Sequence, residues 1–277
     1  MKLLHVLGAP PNFMKAAPVI FACQRRPQLS QSIAHTGQHY DEKMSEIFFR
    51  QLGMPQPDVN LNVGSGSHAA HAAQIMLRIE PVLLSQRPDW VVVYGDVNST
   101  VACALVAAKL GIPVAHVEAG LPSSDRTMPE ELNRIITDHL SDLLFTPSTD
   151  SDENLKREGI APKKTHLVGN CMIDSLARLL PEARRPEAAE LEERFVLAAL
   201  HRPSNVDAAA QLPAIIETLN ELSSCCQVVF PVHPRTQQRI AEFGLALAES
   251  PRLLLLEPQG YLEFLWLLQH AQLVLTD

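Results

Sequence analysis

A 277-residue chain with a net charge of −8 is a poor match for nucleic acid or an anionic membrane surface, though it can still hold a phosphorylated ligand locally. Its 46% hydrophobic content supports a sizeable core, and its length suggests two domains at the usual ~100–200 residues each. No apolar run approaches the ~20 residues needed to span a bilayer.

The N-terminus enters a strand pattern directly, without a signal-peptide layout. Cys23, Cys103, Cys171, Cys225 and Cys226 form an odd set with no CxxC spacing, so structural disulfides are not expected and a cytoplasmic setting is. "LLHVLG" (3–8) reads as a strand, followed by a proline-containing turn and a helix from about Lys15. "QSIAHTG" (31–37) is the next strand, before a helical pattern with Met44, Ile47, Phe48 and Leu52 on one face and Gly53 as its stop. A long helix is expected over 68–86. The unbroken apolar runs "WVVVYG" and "IPVAHV" suit parallel strands covered on both faces. "PEELNRIITDHLSDLLF" reads as helix then strand, and "KTHLVGN" (164–170) as one more strand.

Residues 176–194 become charged and proline-interrupted, and then the βα rhythm restarts. Strands are expected at "FVLAALHR", "QVVFPVHP", "RLLLLEP" and "LVLT", with helices over 207–223, near 235–248 and at "YLEFLWLLQHA". The fold class is therefore α/β, as two successive open parallel sheets. The expected domains are 1–175 and 195–277, with 176–194 as their junction.

Ligands of open parallel sheets bind beyond the carboxyl ends of the strands, which makes the polar residues there the candidates. Asp96 ends one strand and opens a helix, so it either caps that helix or does chemistry. Glu118 ends an apolar strand where no cap is needed. Glu130 and Glu131 follow Pro129 at a helix start, and one of them can be purely structural. Arg134 either pairs with Glu130 at i, i+4 or points into the site. His201 and His233 follow strands of the second half and suit acid/base work or a phosphate contact. His68 and His71 lack a carboxylate at zinc-motif spacing, so no metal is expected. There is no GxGxxG, P-loop or GxSxG, and Phe264 and Trp266 read as helix core.

The segments "GAPPNFMKAAPV", "HTGQHYDEKMSEIFF", "VVYGDVNST", "AHVEAGLPSSDRTMPEELNR", "GNCMIDSL", "LHRPSNVD", "PVHPRT" and "EPQGYLEFLWLLQHAQLVLTD" together resemble the non-hydrolysing UDP-N-acetylglucosamine 2-epimerases. The resemblance runs in order along the whole chain. It implies a GT-B-like fold, two Rossmann-like domains facing an interdomain cleft, and interconversion of UDP-GlcNAc and UDP-ManNAc without a cofactor. The implied mechanism eliminates UDP to a 2-acetamidoglucal and re-adds it with C2 inverted. By motif, Asp96, Glu118, Glu130 and His201 are implied as catalytic, and Lys15, Arg134, Gln259 and Phe264 as substrate-binding. Gln38 and His39 fall where bacterial members bind a second, activating UDP-GlcNAc. A homodimer is among the implied assemblies.

Three departures from the family pattern stand out. Pro10 and Pro122 each occupy a position where the family has arginine, and the family's "TDSGG…QEE" stretch is not reached. The expectation is thus a second domain shorter than the family's, ending at its fourth strand. Inactivity with residual ligand binding, an epimerase of a related UDP-sugar such as a diacetamido uronic acid nucleotide, a hydrolysing epimerase and a GT-B glycosyltransferase stay open as alternatives.

Overall fold

The computed structural model describes residues 1–37, 49–64, 66–187, 190–200, 202–206, 209–248 and 250–276. The expectations for Gln38, His39, His201 and the helical positions Met44, Ile47 and Phe48 lie outside the described residues. The chain divides into two compact units, Met1–Arg178 and Leu179–Asp277.

The first unit opens with β1 (Lys2–Leu7), α1 (Pro10–Gln24), β2 (Ser30–His35), β3 (Val59–Asn60) and α2 (His68–Gln86). It continues with β4 (Trp90–Tyr94), α3 (Asn98–Lys109), β5 (Val114–Val117), α4 (Pro129–Leu140), β6 (Leu143–Thr146), α5 (Thr149–Arg157), β7 (Thr165–Leu167) and α6 (Cys171–Leu179). Its described strands form a parallel seven-stranded sheet in the order β3-β2-β1-β4-β5-β6-β7. The chain order reverses between β1 and β4, which marks the carboxyl ends of these strands as the place for a ligand.

α1 begins at Pro10, five residues before the start at Lys15 that the sequence pattern predicts. Pro10 and Pro11 are tolerated because the first helical positions need no hydrogen-bonded N–H. The Asn12 side chain accepts from the Ala9 N–H at 3.1 Å and donates to the Tyr94 carbonyl at 2.7 Å, which ties the start of α1 to the end of β4.

α2 buries His71, Ile75, Ile79 and Leu83, one residue per turn along a single stripe. The three aliphatic side chains meet Leu4, Val6, Val91 and Val93 from the sheet. α3 contributes Ala102, Cys103, Ala104 and Ala107, small side chains that allow close helix–sheet approach. Cys103 is wholly buried there as a small hydrophobe. Burial of each large aliphatic side chain stabilises by about 1.5–3 kcal/mol.

The second unit comprises β8 (Phe195–Ala199), α7 (Pro203–Val206), α8 (Leu212–Ser223), β9 (Gln227–Pro231), α9 (Pro234–Glu242), β10 (Leu253–Leu256), α10 (Tyr261–His270) and β11 (Leu273–Thr276). Its sheet is parallel in the order β10-β9-β8-β11, repeating the β3-β2-β1-β4 arrangement of the first unit. α8 and α9 are shorter than expected. α8 starts at Leu212, and α9 ends before Gly244, which has a positive φ of +61° and stops the helix. Phe264 and Trp266 pack against Phe195, Leu197, Val229 and Leu256, as expected of helix-core aromatics.

Candidate active site

Adjacent strands β4 and β5 deliver Asp96 and Glu118 from their carboxyl ends. Gly95 turns the chain out of β4 at φ +61°, and Gly120 turns it beyond β5 at φ +76°. Glu118 itself lies at φ +66°, a conformation in which a non-glycine residue is uncommon and costs about 1–3 kcal/mol. The amides of Glu118 and Ala119 both donate to the Phe145 carbonyl at 3.0 Å, which holds this bend.

Lys15 of α1 ion-pairs with the Glu118 carboxylate, and both side chains are largely shielded, at 12% and 16% exposure. A Cβ on Gly95 would stand 2.8 Å from Lys15 Nζ, so the lysine passes over bare backbone at the end of β4. Lys15 and Glu118 thus form one charged couple beside the Asp96 loop.

Asp96 is half-buried, and among the described residues its carboxylate has neither a hydrogen bond nor an ion pair. It does not cap α3: the N-cap residue is Val97, and no side chain caps this helix. That removes the capping explanation for an aspartate here. The loop is held by its backbone and by Asn98 instead. Asn133 of α4 donates to the Asp96 carbonyl at 2.9 Å and to Asn98 Oδ1 at 3.2 Å. Asn98 Nδ2 reaches His68 Nδ1 at 3.2 Å and His71 Nδ1 at 3.3 Å. The two histidines therefore support this loop, and among the described residues no group of three or more side chains could hold a metal ion. Burial lowers the His71 pKa, and the neighbouring His68 lowers it further.

Glu130 and Glu131 have different environments. Glu130, half-buried in the first turn of α4, has no side-chain partner among the described residues. Glu131 is buried and accepts from the Ser123 amide at 2.9 Å and hydroxyl at 3.1 Å. Glu131 is the structural member of the pair, tying down the loop that contains Pro122.

Arg134 corrects an expectation. Its partner on α4 is Glu131 at i, i+3 (2.7 Å), not Glu130. The guanidinium also meets Asp138 at 3.1 Å and grips both oxygens of Glu158 at 2.7 Å, with only 2% exposed. Three carboxylates meet its terminal nitrogens, and it serves as the cation of a buried cluster. Burial opposes its charge, yet the hydrogen bonds it donates to Glu158 and Glu131 outweigh that and raise its pKa. Burial also opposes the Glu131 charge, and the bonds to Arg134 and Ser123 still bring its pKa below the ordinary value.

The cluster continues inward. Asp138 Oδ1 lies 2.7 Å from His116 Nδ1, and Oδ2 accepts from the Gly120 amide at 3.2 Å. His116 Nε2 lies 2.8 Å from the Gly95 carbonyl oxygen. Asp138, Asn133 and His116 were missed by sequence reasoning. Only His116 carried a signal: an imidazole inside the apolar strand "IPVAHV" needs buried partners.

In the second unit, His233 caps α9, its Nδ1 accepting from the Arg235 amide at 3.3 Å. That gives its Nδ1 a structural use. Gln259 sits in the loop before α10 and donates to the Glu257 carbonyl at 2.6 Å. Phe264 is partly buried one turn into α10.

Residues 21–277 match the family model described as UDP-N-acetylglucosamine 2-epimerase. The whole chain is 46% identical to a Pseudomonas aeruginosa UDP-2,3-diacetamido-2,3-dideoxy-D-glucuronate 2-epimerase and 43% identical to a Methanocaldococcus jannaschii UDP-N-acetylglucosamine 2-epimerase, covering 78% of each. It superposes on the M. jannaschii enzyme in complex with UDP-GlcNAc and UDP with a TM-score of 0.88 at 43% identity, all of this chain matching 79% of that one. For the Neisseria meningitidis UDP-GlcNAc 2-epimerase bound to UDP-GlcNAc the TM-score is 0.90 at 30% identity, with all of this chain matching 78%. The two parallel α/β sheets are thus of the GT-B-like type. With its full length matched by epimerases of solved structure and its carboxylates at the carboxyl ends of β4 and β5, this chain belongs to the UDP-N-acetylglucosamine 2-epimerase family.

Proposed function

We propose that this protein interconverts UDP-GlcNAc and UDP-ManNAc by eliminating UDP and re-adding it with C2 inverted. The observation that supports this best is the placement of Asp96 and Glu118 on neighbouring strand ends, one carboxylate unpartnered among the described residues and the other coupled to Lys15. In the forward step a carboxylate takes the C2 proton as the C1–O bond to UDP breaks, leaving a 2-acetamidoglucal and free UDP. In the return step UDP re-forms the C1–O bond, and a proton is delivered to the opposite face of C2. Asp96, Glu118 and Glu130 are the proposed acid/base groups. Lys15 holds Glu118 in place and offers positive charge to the substrate.

His201 is proposed beside the diphosphate, Gln259 and Phe264 at the uridine, and Gln38 and His39 at a second, activating UDP-GlcNAc. In domain terms, residues 1–175 carry the carboxylates, 195–277 the UDP contacts, and 176–194 the junction. A homodimer in the cytoplasm, supplying sugar donors for surface polysaccharide, completes the proposal.

A second reading takes UDP-2,3-diacetamido-2,3-dideoxy-D-glucuronate as substrate, favoured by the 46%-identical P. aeruginosa relative. Proton NMR in deuterated buffer tests both. Deuterium entering C2 of UDP-GlcNAc supports the first reading, and exchange confined to the diacetamido uronate supports the second. Folded protein that exchanges neither sugar rules out both. Asp96→Asn is expected to slow exchange at least ~100-fold, the usual scale for removing a general acid or base.

A further inference from the structure

His116 carries out no step in the proposed chemistry, yet it is fully buried and touches the supports of both catalytic loops. We infer that His116 is a positioning residue, donating from both ring nitrogens to lock the Asp96 and Glu118 loops in register. The inference rests on the epimerase reading for its consequence, but not for its geometry.

Gly95, whose carbonyl faces His116 Nε2 at 2.8 Å, immediately precedes Asp96. Asp138, which faces His116 Nδ1 at 2.7 Å, also binds the Gly120 amide, two residues after Glu118. The chain from the Gly95 carbonyl through His116 and Asp138 to the Gly120 amide therefore spans the two loops with three polar contacts. All three backbone bends it brackets, at Gly95, Glu118 and Gly120, have positive φ. A strained bend at Glu118 persists only if its surroundings determine it, and this chain is what does so on the buried side.

A carbonyl oxygen only accepts, and an ionised carboxylate only accepts. Neutral imidazole has a single N–H, so it can satisfy one of these partners and would set a bare lone pair against the other. Both contacts are of hydrogen-bond length, and the neighbours of His116 in the sheet are Val93 and Leu144, which offer no alternative partner. One further proton therefore resides in the His116–Asp138 pair. The surrounding charges accommodate it: Arg134 is a single cation facing Glu131, Asp138 and Glu158. A second positive charge on the imidazole brings that cluster closer to neutrality.

The test uses the full chain with histidine labelled in the ring nitrogens. At pH 7, both His116 nitrogens are expected to resonate in the N–H-bearing range with directly bonded protons. A bare ring nitrogen would overturn the inference, whatever the enzyme's activity. Independently, His116→Gln is expected to lower kcat for C2 exchange by about 100-fold, the scale of an ångström-level misplacement, with KM changed less than about threefold. Asp138→Asn, which keeps the side-chain shape, is expected to return one His116 nitrogen to the bare range and lower kcat likewise. Wild-type kcat in a folded His116→Gln protein also sinks the inference. Should both variants unfold, the wild-type nitrogen signals decide. Should the wild type show no exchange on either sugar, the epimerase reading fails while the same signals still judge the double donation.

Discussion

Gly95 separates backbone strain from chemistry. Its φ of +61° and the 2.8 Å approach of Lys15 Nζ leave no unstrained place for a side chain. Gly95→Ala is expected to destabilise the first unit by about 1–2 kcal/mol, the cost of a left-handed L-residue. Pushing Lys15 aside should also reduce C2 exchange. Denaturant titration and the deuterium assay check the two effects separately. A variant as stable and active as wild type would show that the loop adjusts freely. His5 supports a prediction about pH. It is fully buried on β1, with its ring nitrogens 2.7 Å from the Tyr94 hydroxyl and 3.0 Å from Gln31 Oε1. Burial brings its pKa down to about 4, against a partial upward pull from the Gln31 bond. The unfolded chain, titrating near 6.5, then binds the proton more readily than the fold does. Stability from this histidine is complete above about pH 6.5 and is lost as pH falls toward 4, by up to about 3 kcal/mol. His35 and His71, also lowered by burial, act in the same direction. Melting curves between pH 7 and pH 4 measure the total, and His5→Gln should flatten part of the slope.

At the scale of the element, α2 and α4 do different work for the same site. α2 is anchored by Ile75, Ile79 and Leu83, and its first turn presents His68 and His71 to Asn98. Ile79→Ala is expected to cost about 2–5 kcal/mol through lost burial and the cavity left behind. A much smaller cost would mean that the cluster collapses around the gap. α4 is held by charge: Glu131, Arg134 and Asp138 lie on its buried side and meet Glu158 beyond the end of α5. Removing one partner of such a cluster leaves a buried charge uncompensated, so Arg134→Met should lower stability by about 3–5 kcal/mol. Arg134→Met together with Glu158→Gln should recover part of that loss, which a double-mutant cycle measures. The periodic apolar residues of α2 predicted its helix. The pairing pattern of α4 could not be read the same way, because Glu130 and Glu131 are equally plausible partners for Arg134 until α5 supplies Glu158.

At the scale of the whole molecule, the chain contains two units with separate cores and the same local strand order. Beyond a short 3-10 turn at Leu180–Glu182, the stretch that follows α6 is exposed at Arg184 and Arg185. Brief trypsin treatment is expected to cut first at Arg184, Arg185 or Arg194 and release two fragments, one per unit. First cuts inside either sheet would contradict two independent cores. The sequence by itself determined the α/β class, the restart of the βα rhythm, the strand-end positions of Asp96 and Glu118 and the helix-start position of Glu130. These follow from hydrophobic runs and from the polar residue that ends each, which are local properties of the chain. Only the tertiary structure decided that Asp96 is no helix cap, that His233 is one, that Arg134 is spent on three carboxylates and that Lys15 faces Glu118 across Gly95. Lys15 and Arg134 depend on partners distant in sequence, Glu118 and Glu158, while the His233 cap depends on the local backbone conformation at Arg235; a side chain's role is fixed by whichever group folding brings within hydrogen-bond reach.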